Sequence, residues 1–246
     1  MVTRSSLPLG LFALFMFGCG DLAISPQSDS QQVVQESNVA QLLTEAQTNQ
    51  SVEKLFRQGN NLLDSHHYQD AIAAYDKAIA IKPTSAETWI NRGNALTALQ
   101  ENKDALLSYD RAIAIRKDLD EAWYNRGNLL NAQKRYKDAL VSYDKAIAIK
   151  PDKHEAWINR GIALTKLQRY KDAIQSYDKA IAMKQGLDQA YYNKACSYAL
   201  QGNVELTIDN LEKAIKLIPG KYEKLAKNDP DFDKVRSDKR FQVLLE

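Results

Sequence analysis

The chain has 246 residues and a formal net charge of +2, with 33 basic and 31 acidic side chains. A chain of this length can form one or two domains with a buried core. Because the two signs nearly balance and alternate along the chain, the sequence lacks the basic face typical of nucleic-acid-binding proteins, and we expect no nucleic-acid partner. The two cysteines, Cys19 and Cys196, lie too far apart for a Cys-x-x-Cys metal or redox motif.

Residues 1–18 have the layout of a secretory signal peptide. Arg4 supplies the positive start, an apolar run extends from Leu7 to Phe17, and the small residue Gly18 follows it. The run is about half as long as the roughly 20 residues that a membrane-spanning helix needs. The sequence therefore predicts a signal that is removed, rather than a permanent transmembrane anchor.

The pair Gly18-Cys19 at the end of this run resembles the lipobox of bacterial lipoproteins. The resemblance implies that the Cys19 thiol receives a diacylglyceryl group and anchors the protein to a membrane of the cell envelope, on the exported side. Met16 and Phe17 depart from the usual pattern of Leu three residues before the cysteine and a small residue two before it. The alternative is an ordinary signal cleaved nearby, which would give a secreted or periplasmic protein.

Residues 19–50 are rich in Ser, Gln and Asn and poor in large apolar side chains. Such a composition buries too little apolar surface to fold alone. We predict a flexible tether, with a short helix at about residues 39–46.

Residues 51–221 contain a repeat with a period of 34 residues, in which a glycine and a tryptophan recur in step: Gly59, Gly93, Gly127 and Gly161, and Trp89, Trp123 and Trp157. The period, and segments such as AWYNRGNLLNAQKRYKDALVSYDKAIAIKP, resemble the tetratricopeptide repeat (TPR). The resemblance implies an all-α, right-handed TPR solenoid of about five helix-turn-helix repeats. Their predicted ranges are 52–85, 86–119, 120–153, 154–187 and 188–221, and positions are counted from the first residue of each range.

The spacing predicts how the two helices of a repeat, A and B, pack. The glycine at position eight shares a face of helix A with the leucine at position eleven, and its missing side chain lets helix B approach. Helix B is expected to present a stripe of alanines and large tyrosines to that face: Tyr75, Tyr109, Tyr143 and Tyr177. Prolines are expected to end helix B at Pro83, Pro151 and Pro219.

Two sets of recurring polar residues have local explanations. A Thr or Asp stands three residues before the glutamate at position two, as in a capping box at a helix start; these pairs are Thr84–Glu87, Asp118–Glu121 and Asp152–Glu155. A cation at position seven is expected to pair with an aspartate on helix B of the preceding repeat, in the pairs Asp76–Arg92, Asp110–Arg126, Asp144–Arg160 and Asp178–Lys194.

The resemblance implies that helix A lines a concave groove, and the residues there suggest what it binds. Asparagine recurs at position six (Asn91, Asn125, Asn159 and Asn193) and at position nine (Asn60, Asn94 and Asn128). Apolar and aromatic residues accompany it at position five, including Tyr124, Ile158 and Tyr192. An amide offers both a donor and an acceptor to a peptide backbone, and similar asparagines line TPR superhelices that bind extended peptides. Alternatively, these asparagines are copied by repeat duplication and unused.

Residues 222–246 are predicted to cap the last repeat through Phe232, Val235, Phe241, Leu244 and Leu245. The three histidines have no partner residues at catalytic or metal-ligand spacing. We therefore expect that the protein has no enzymatic activity and binds no cofactor, no metal and no small-molecule substrate. The predicted function is a membrane-tethered scaffold or adaptor that binds an extended segment of a protein partner, and the alternative is an assembly chaperone that shields client proteins transiently.

Overall fold

The computed structural model describes residues 26–246, which form twelve α-helices, a short 3-10 helix and no strand. The described residues belong to two units that divide between Gln47 and Thr48. The elements in chain order are α1 (Pro26–Asp64), α2 (Tyr68–Ile81), α3 (Ala86–Ala98), α4 (Asn102–Ile115), α5 (Asp120–Ala132), α6 (Tyr136–Ile149), α7 (His154–Lys166), α8 (Tyr170–Met183), α9 (Asp188–Leu200), α10 (Val204–Leu217), α11 (Lys221–Asn228), the 3-10 helix (Pro230–Phe232) and α12 (Lys239–Leu244).

Helix α1 is longer than the sequence predicted. It runs unbroken from Pro26 to Asp64. Residues 39–46 are therefore helical as predicted, but so is the rest of 26–50, where we expected an irregular tether. Gln, Glu, Ala and Leu are good helix formers, and extending the existing first helix of repeat one avoids the cost of a new helix nucleus. Residues 1–25, which include the predicted signal peptide and Cys19, lie outside the described residues.

The unit 48–246 is a stack of helix pairs. The second half of α1 packs on α2 through Phe56 and Gly59, which contact Tyr75. In the same way α3 pairs with α4, α5 with α6, α7 with α8, and α9 with α10. Each helix B ends two residues before Pro83, Pro151 or Pro219 where a proline is present. The predicted fold class, an all-α solenoid of five helix-turn-helix repeats with a C-terminal capping segment, is confirmed.

A glycine on helix A packs directly on a tyrosine of helix B in repeats one to four. A Cβ added to Gly127 would lie 2.7 Å from Cε1 of Tyr143, closer than real Cβ atoms come. Repeat five changes both partners, to Ala195 and Leu211, and both are fully buried. The two positions change together because the smaller Leu side chain leaves room for the Ala methyl group.

The turn between helices A and B requires a left-handed backbone. In repeats one to four a residue with a side chain adopts it, at φ between 60° and 62°: His66, Gln100, Lys134 and Gln168. Repeat five places Gly202 there, at φ 74°. Only glycine adopts this conformation without steric cost.

The predicted ion pairs between successive repeats are present. Nε of Arg126 lies 2.7 Å from Oδ1 of Asp110, and its Nη1 donates to Oγ of Ser142 at 2.8 Å, so that one guanidinium joins α4, α5 and α6. The other three pairs have N–O distances between 2.6 and 2.7 Å: Asp76–Arg92, Asp144–Arg160 and Asp178–Lys194.

The predicted capping boxes are wrong. Helices α3, α5 and α7 begin after Ser85, Leu119 and Lys153, one residue later than a Thr84, Asp118 or Asp152 cap requires, and none of the three has a side-chain cap hydrogen bond. At α5, Leu119 packs against the cluster around Ile90 and Ala122. Tertiary packing therefore sets the helix start, and Glu87, Glu121 and Glu155 are not caps.

The two ends of the stack differ in chemistry. At the first repeat, Lys54 and Asn61 are exposed where later repeats carry buried small residues such as Ala122 and Ala163. At the last repeat, the capping segment covers α9 and α10 with an apolar cluster that includes Phe232, Val235, Phe241 and Leu245, all buried. A solenoid needs such treatment at its ends to stay in solution.

Candidate peptide-binding groove

The asparagines at positions six and nine form a hydrogen-bonded ladder between repeats. Oδ1 of Asn94 accepts from Tyr109 OH of its own repeat at 2.9 Å and from Nδ2 of Asn125 of the next repeat at 3.0 Å. The same arrangement recurs with Asn60 accepting from Tyr75 and Asn91, and with Asn128 accepting from Tyr143 and Asn159. We call these six asparagines the amide ladder.

The ladder gives the asparagines a structural role that the sequence analysis missed. The sequence does contain a pattern that indicates these contacts. Asparagine occupies position nine in repeats one to three, and it occupies position six in the repeat that follows each of them. The same offset of one repeat revealed the ion pairs. Replacing Asn125 and Asn159 would therefore remove inter-repeat hydrogen bonds as well as groove chemistry, and we expect it to lower stability.

More than half of the ladder's hydrogen-bonding capacity is left unused. The described residues include no partner for Nδ2 of Asn94 or Asn128, or for Oδ1 of Asn125. An amide carries two donor hydrogens and a carbonyl with two lone pairs. Each rung therefore keeps a donor on the position-nine amide and an acceptor on the position-six amide.

Burial keeps the ladder tyrosines in their donating form. It raises the pKa of Tyr75 and of Tyr109 to about 12, and burial also raises the pKa of Tyr143 and Tyr177. The hydroxyl groups of Tyr75, Tyr109 and Tyr143 therefore stay protonated even in alkaline solution, where an exposed tyrosine would ionise, and they donate to the asparagine carbonyls.

The predicted row of apolar faces at position five is not presented to a ligand. Ile158 is 5% exposed and Tyr192 is 8% exposed. Ile158 packs into the cluster around Tyr143 and Leu164, because this position faces the junction with neighbouring helices. Tyr124 is half-buried, and Nζ of Lys153 lies 4.7 Å from the centre of its ring.

The ladder stops between repeats four and five. Position nine of repeat four is Ile162, which has no acceptor, and Nδ2 of Asn193 is buried without a hydrogen-bond partner. In repeats four and five, Tyr177 bonds instead with Oγ1 of Thr165 at 3.2 Å, and Thr165 bonds with Oγ of Ser197 at 2.8 Å.

The capping segment reaches the groove next to this break. Asp229 and Asp231 come close to Cys196, with their ligand atoms within 4.8 Å of one another. Asp229 Oδ2 accepts from Tyr192 OH at 2.7 Å and from the Cys196 thiol at 3.9 Å. Burial, with the nearby aspartates, raises the pKa of Cys196, which disfavours the thiolate that a metal would require. We therefore interpret this cluster as an attachment of the cap.

An open cleft lies between repeats two and three, beside the intact part of the ladder. Its volume is about 480 Å³. Nine residues line it: Asn94, Thr97, Gln100, Asn102, Tyr109, Asn125, Asn128, Leu129 and Ala132. Three of the predicted groove residues, Asn94, Asn125 and Asn128, thus meet at one site.

Within residues 26–246, no helix is both long enough and apolar enough to span a membrane. This finding leaves the predicted lipid anchor at Cys19 as an expectation.

Several solved structures have a similar fold. MamA is 24% identical, with 69% of this chain and 96% of that chain aligned and a TM-score of 0.62. YrrB, described as a TPR protein with an unusual peptide-binding site, is 22% identical over 73% of this chain and 97% of that chain, with a TM-score of 0.63. A TPR protein from Parabacteroides merdae ATCC 43184 is 20% identical over 79% and 77%, with a TM-score of 0.69. The comparison with curated proteins returns no match.

Sequence models of the repeat family cover more than half of the chain. Models described as tetratricopeptide repeat match residues 120–153, 154–186 and 188–221, and a model described as TPR repeat matches residues 59–100 and 93–133. Proteins of this family are generally non-catalytic scaffolds for protein interactions. The chain belongs to the tetratricopeptide-repeat family.

Proposed function

We propose that this protein is a non-catalytic scaffold that binds an extended segment of a protein partner along the amide ladder. The observation that carries the proposal is the unused donor and the unused acceptor of each rung, Nδ2 of the position-nine amide and Oδ1 of the position-six amide. An extended peptide presents alternating carbonyl and N–H groups, and each rung offers one amide donor and one amide acceptor to them. Such bonds recognise a backbone whatever its side chains, which suits a scaffold.

The ladder also lowers the cost of binding. Each position-six amide is already held by the preceding rung, as in the 2.8 Å bond from Asn159 to Asn128. Ordering a free side chain on binding costs about 0.5–1.5 kcal/mol, and these amides are ordered before the partner arrives. The description of YrrB as a peptide-binding TPR protein supports the same class of partner. We propose no nucleic-acid partner and no small-molecule substrate.

A steric block tests the groove without breaking the ladder. Ala132 is exposed and lines the cleft, so Ala132→Trp fills the groove and leaves every rung intact. Ala148 is exposed on α6 and does not line the cleft, which makes Ala148→Trp a matched control.

The assay begins with random linear peptides displayed on phage and selected on the immobilised protein. Affinities of the selected peptides are then measured by fluorescence anisotropy. We expect Ala132→Trp to weaken binding at least about tenfold, or 1.4 kcal/mol, and Ala148→Trp to leave it unchanged. Equal binding by wild type and Ala132→Trp would exclude the groove as the site.

We propose further that acylation of Cys19 tethers the scaffold to a bacterial membrane on the exported side. The support is the signal-like layout of residues 1–18. Several acyl chains contribute about 0.8 kcal/mol for each buried methylene group, so detachment would be negligible. Cys19→Ser is expected to release the protein from the membrane fraction. Sedimentation of that variant with membranes would show that another anchor holds it.

A further inference from the structure

The cleft between repeats two and three has an unusual lining for a binding site. Its polar side chains are amides and hydroxyls, and none of the lining residues carries a charge. A volume of about 480 Å³ lies within the roughly 300–1,000 Å³ typical of ligand sites. The cleft therefore has room for a side chain of the bound segment, in addition to the backbone that the ladder receives.

The equivalent place two repeats further along is filled by the protein's own chain. There Ile162, Thr165, Tyr177, Asn193 and Cys196 occupy the positions of Asn94, Thr97, Tyr109, Asn125 and Asn128, and the remaining volume is about 200 Å³. Asp229 and Asp231 of the capping segment line it. A short polar side chain from a neighbouring segment of chain, here the start of the 3-10 helix, can thus enter this position of the solenoid.

The filled site also shows how charge is matched. Nζ of Lys166 lies 3.5 Å from Oδ2 of Asp231, so a cation accompanies the carboxylates. The residue equivalent to Lys166 at the open cleft is Ala98. An ionised side chain entering the open cleft would lose water without gaining a counter-ion, which is costly. An apolar side chain would leave the unused amide groups without partners.

We propose that the open cleft is a specificity subsite for the carboxamide side chain of an Asn or Gln residue in the bound segment. The carboxamide oxygen would accept one hydrogen each from the unused Nδ2 groups of Asn94 and Asn128, and its NH₂ group would donate to one lone pair on Oδ1 of Asn125. The second hydrogen of each Nδ2 and the second lone pair of that Oδ1 stay available to the backbone of the bound segment. A neutral group with both functions satisfies this set of atoms. The inference rests on the proposed function, because it assigns one subsite of the same groove.

The test is a positional-scanning peptide library on the immobilised full chain. Each position is set in turn to Gln, Asn, Glu, Lys or Leu, and bound peptide is quantified. We expect one position at which Gln or Asn is preferred over Glu, Lys and Leu by about tenfold or more, since a site that hydrogen-bonds a group rejects analogues lacking it.

A charge variant sharpens the test by copying the filled site. Ala98→Lys supplies the cation that Lys166 provides two repeats later, and it should shift the preference at that position from Gln to Glu. Ala98 is exposed and follows Thr97, which lines the cleft, whereas Ala114 is exposed on α4 and neither lines the cleft nor adjoins a lining residue in the chain. Ala114→Lys therefore adds the same charge elsewhere and should keep the Gln preference. Thermal unfolding of both variants checks that they fold.

The outcomes separate this inference from the proposed function. Tight peptide binding with no preference for Gln or Asn at any position would overturn the subsite. The proposal that the groove binds a peptide would still stand. An Ala98→Lys variant that still prefers Gln would also overturn it. A wild-type protein that retains no peptide from the library would overturn both proposals.

Discussion

A glycine on helix A packs against a tyrosine on helix B. We therefore predict that replacing this glycine with alanine destabilises the protein when the tyrosine is present and stabilises it when the tyrosine is replaced by leucine. In repeat three, a Cβ on Gly127 would lie 2.7 Å from Cε1, 2.8 Å from Cδ1 and 3.2 Å from Cζ of Tyr143. Overpacking of this kind costs about 1–3 kcal/mol, and Ala in place of Gly in a helix gains about 1 kcal/mol. We expect Gly127→Ala to lower the free energy of unfolding by about 1 kcal/mol.

In a Tyr143→Leu background the same substitution should be stabilising. Repeat five already combines Ala195 with Leu211 in a fully buried junction, so the clash is gone and the helix-propensity gain of about 1 kcal/mol remains. Tyr143→Leu alone should cost about 2–4 kcal/mol, from lost packing and from the lost hydrogen bond to Asn128. The expected coupling between the two substitutions is about 2 kcal/mol.

The measurement is a double-mutant cycle in which urea unfolding of each protein is monitored by far-UV circular dichroism. Because repeats in a solenoid can unfold partly independently, the denaturant slope must be the same in all four proteins for the free energies to be compared. A Gly127→Ala effect of the same sign in both backgrounds would refute the argument that ring contact is the reason for glycine at position eight.

Three further predictions concern stability. Asp144→Asn, which keeps the side-chain shape and a similar helix propensity, should lower the free energy of unfolding by about 0.5 kcal/mol, and by less at high salt, because the partly exposed pair with Arg160 is screened; an equal loss at both salt concentrations, measured by urea unfolding, would contradict it. Lys134→Gly should raise it by about 0.5 kcal/mol, since removing side-chain strain at φ 61° of about 1–2 kcal/mol outweighs the added entropy of the unfolded chain; an unchanged or lower melting temperature would contradict it. Tyr75 and Tyr109, with pKa values of about 12 in the fold and about 10 unfolded, stabilise the protein below pH ~10; this contribution falls by about 1.4 kcal/mol per pH unit for each tyrosine as pH rises towards 12, so an unchanged urea midpoint in that range would contradict it.

The fold was predictable from the sequence because the same weakly informative residues recur in every repeat. One glycine and one tryptophan mean little, but their return every 34 residues identifies the architecture, and the offset of Arg126 against Asp110 identifies a contact between repeats. The groove was less predictable. Ile158 and Tyr192 appear available from their position in helix A, and only packing against neighbouring helices and the cap shows that they are buried.

The amide ladder explains why structural and binding roles were hard to separate in the sequence. The bond from Asn125 to Asn94 stabilises the junction between two repeats and, in doing so, orients an unused acceptor and an unused donor. A freely rotating amide would offer the same groups but would lose conformational entropy on binding. The structural bond is therefore part of what makes the groove suitable for a peptide, rather than an alternative to binding. It follows that substituting a ladder asparagine changes stability and affinity together. Ala132, which lines the cleft, and Ala98, which follows the lining residue Thr97 in the chain, make no ladder bond, so substitutions there can distinguish the two effects.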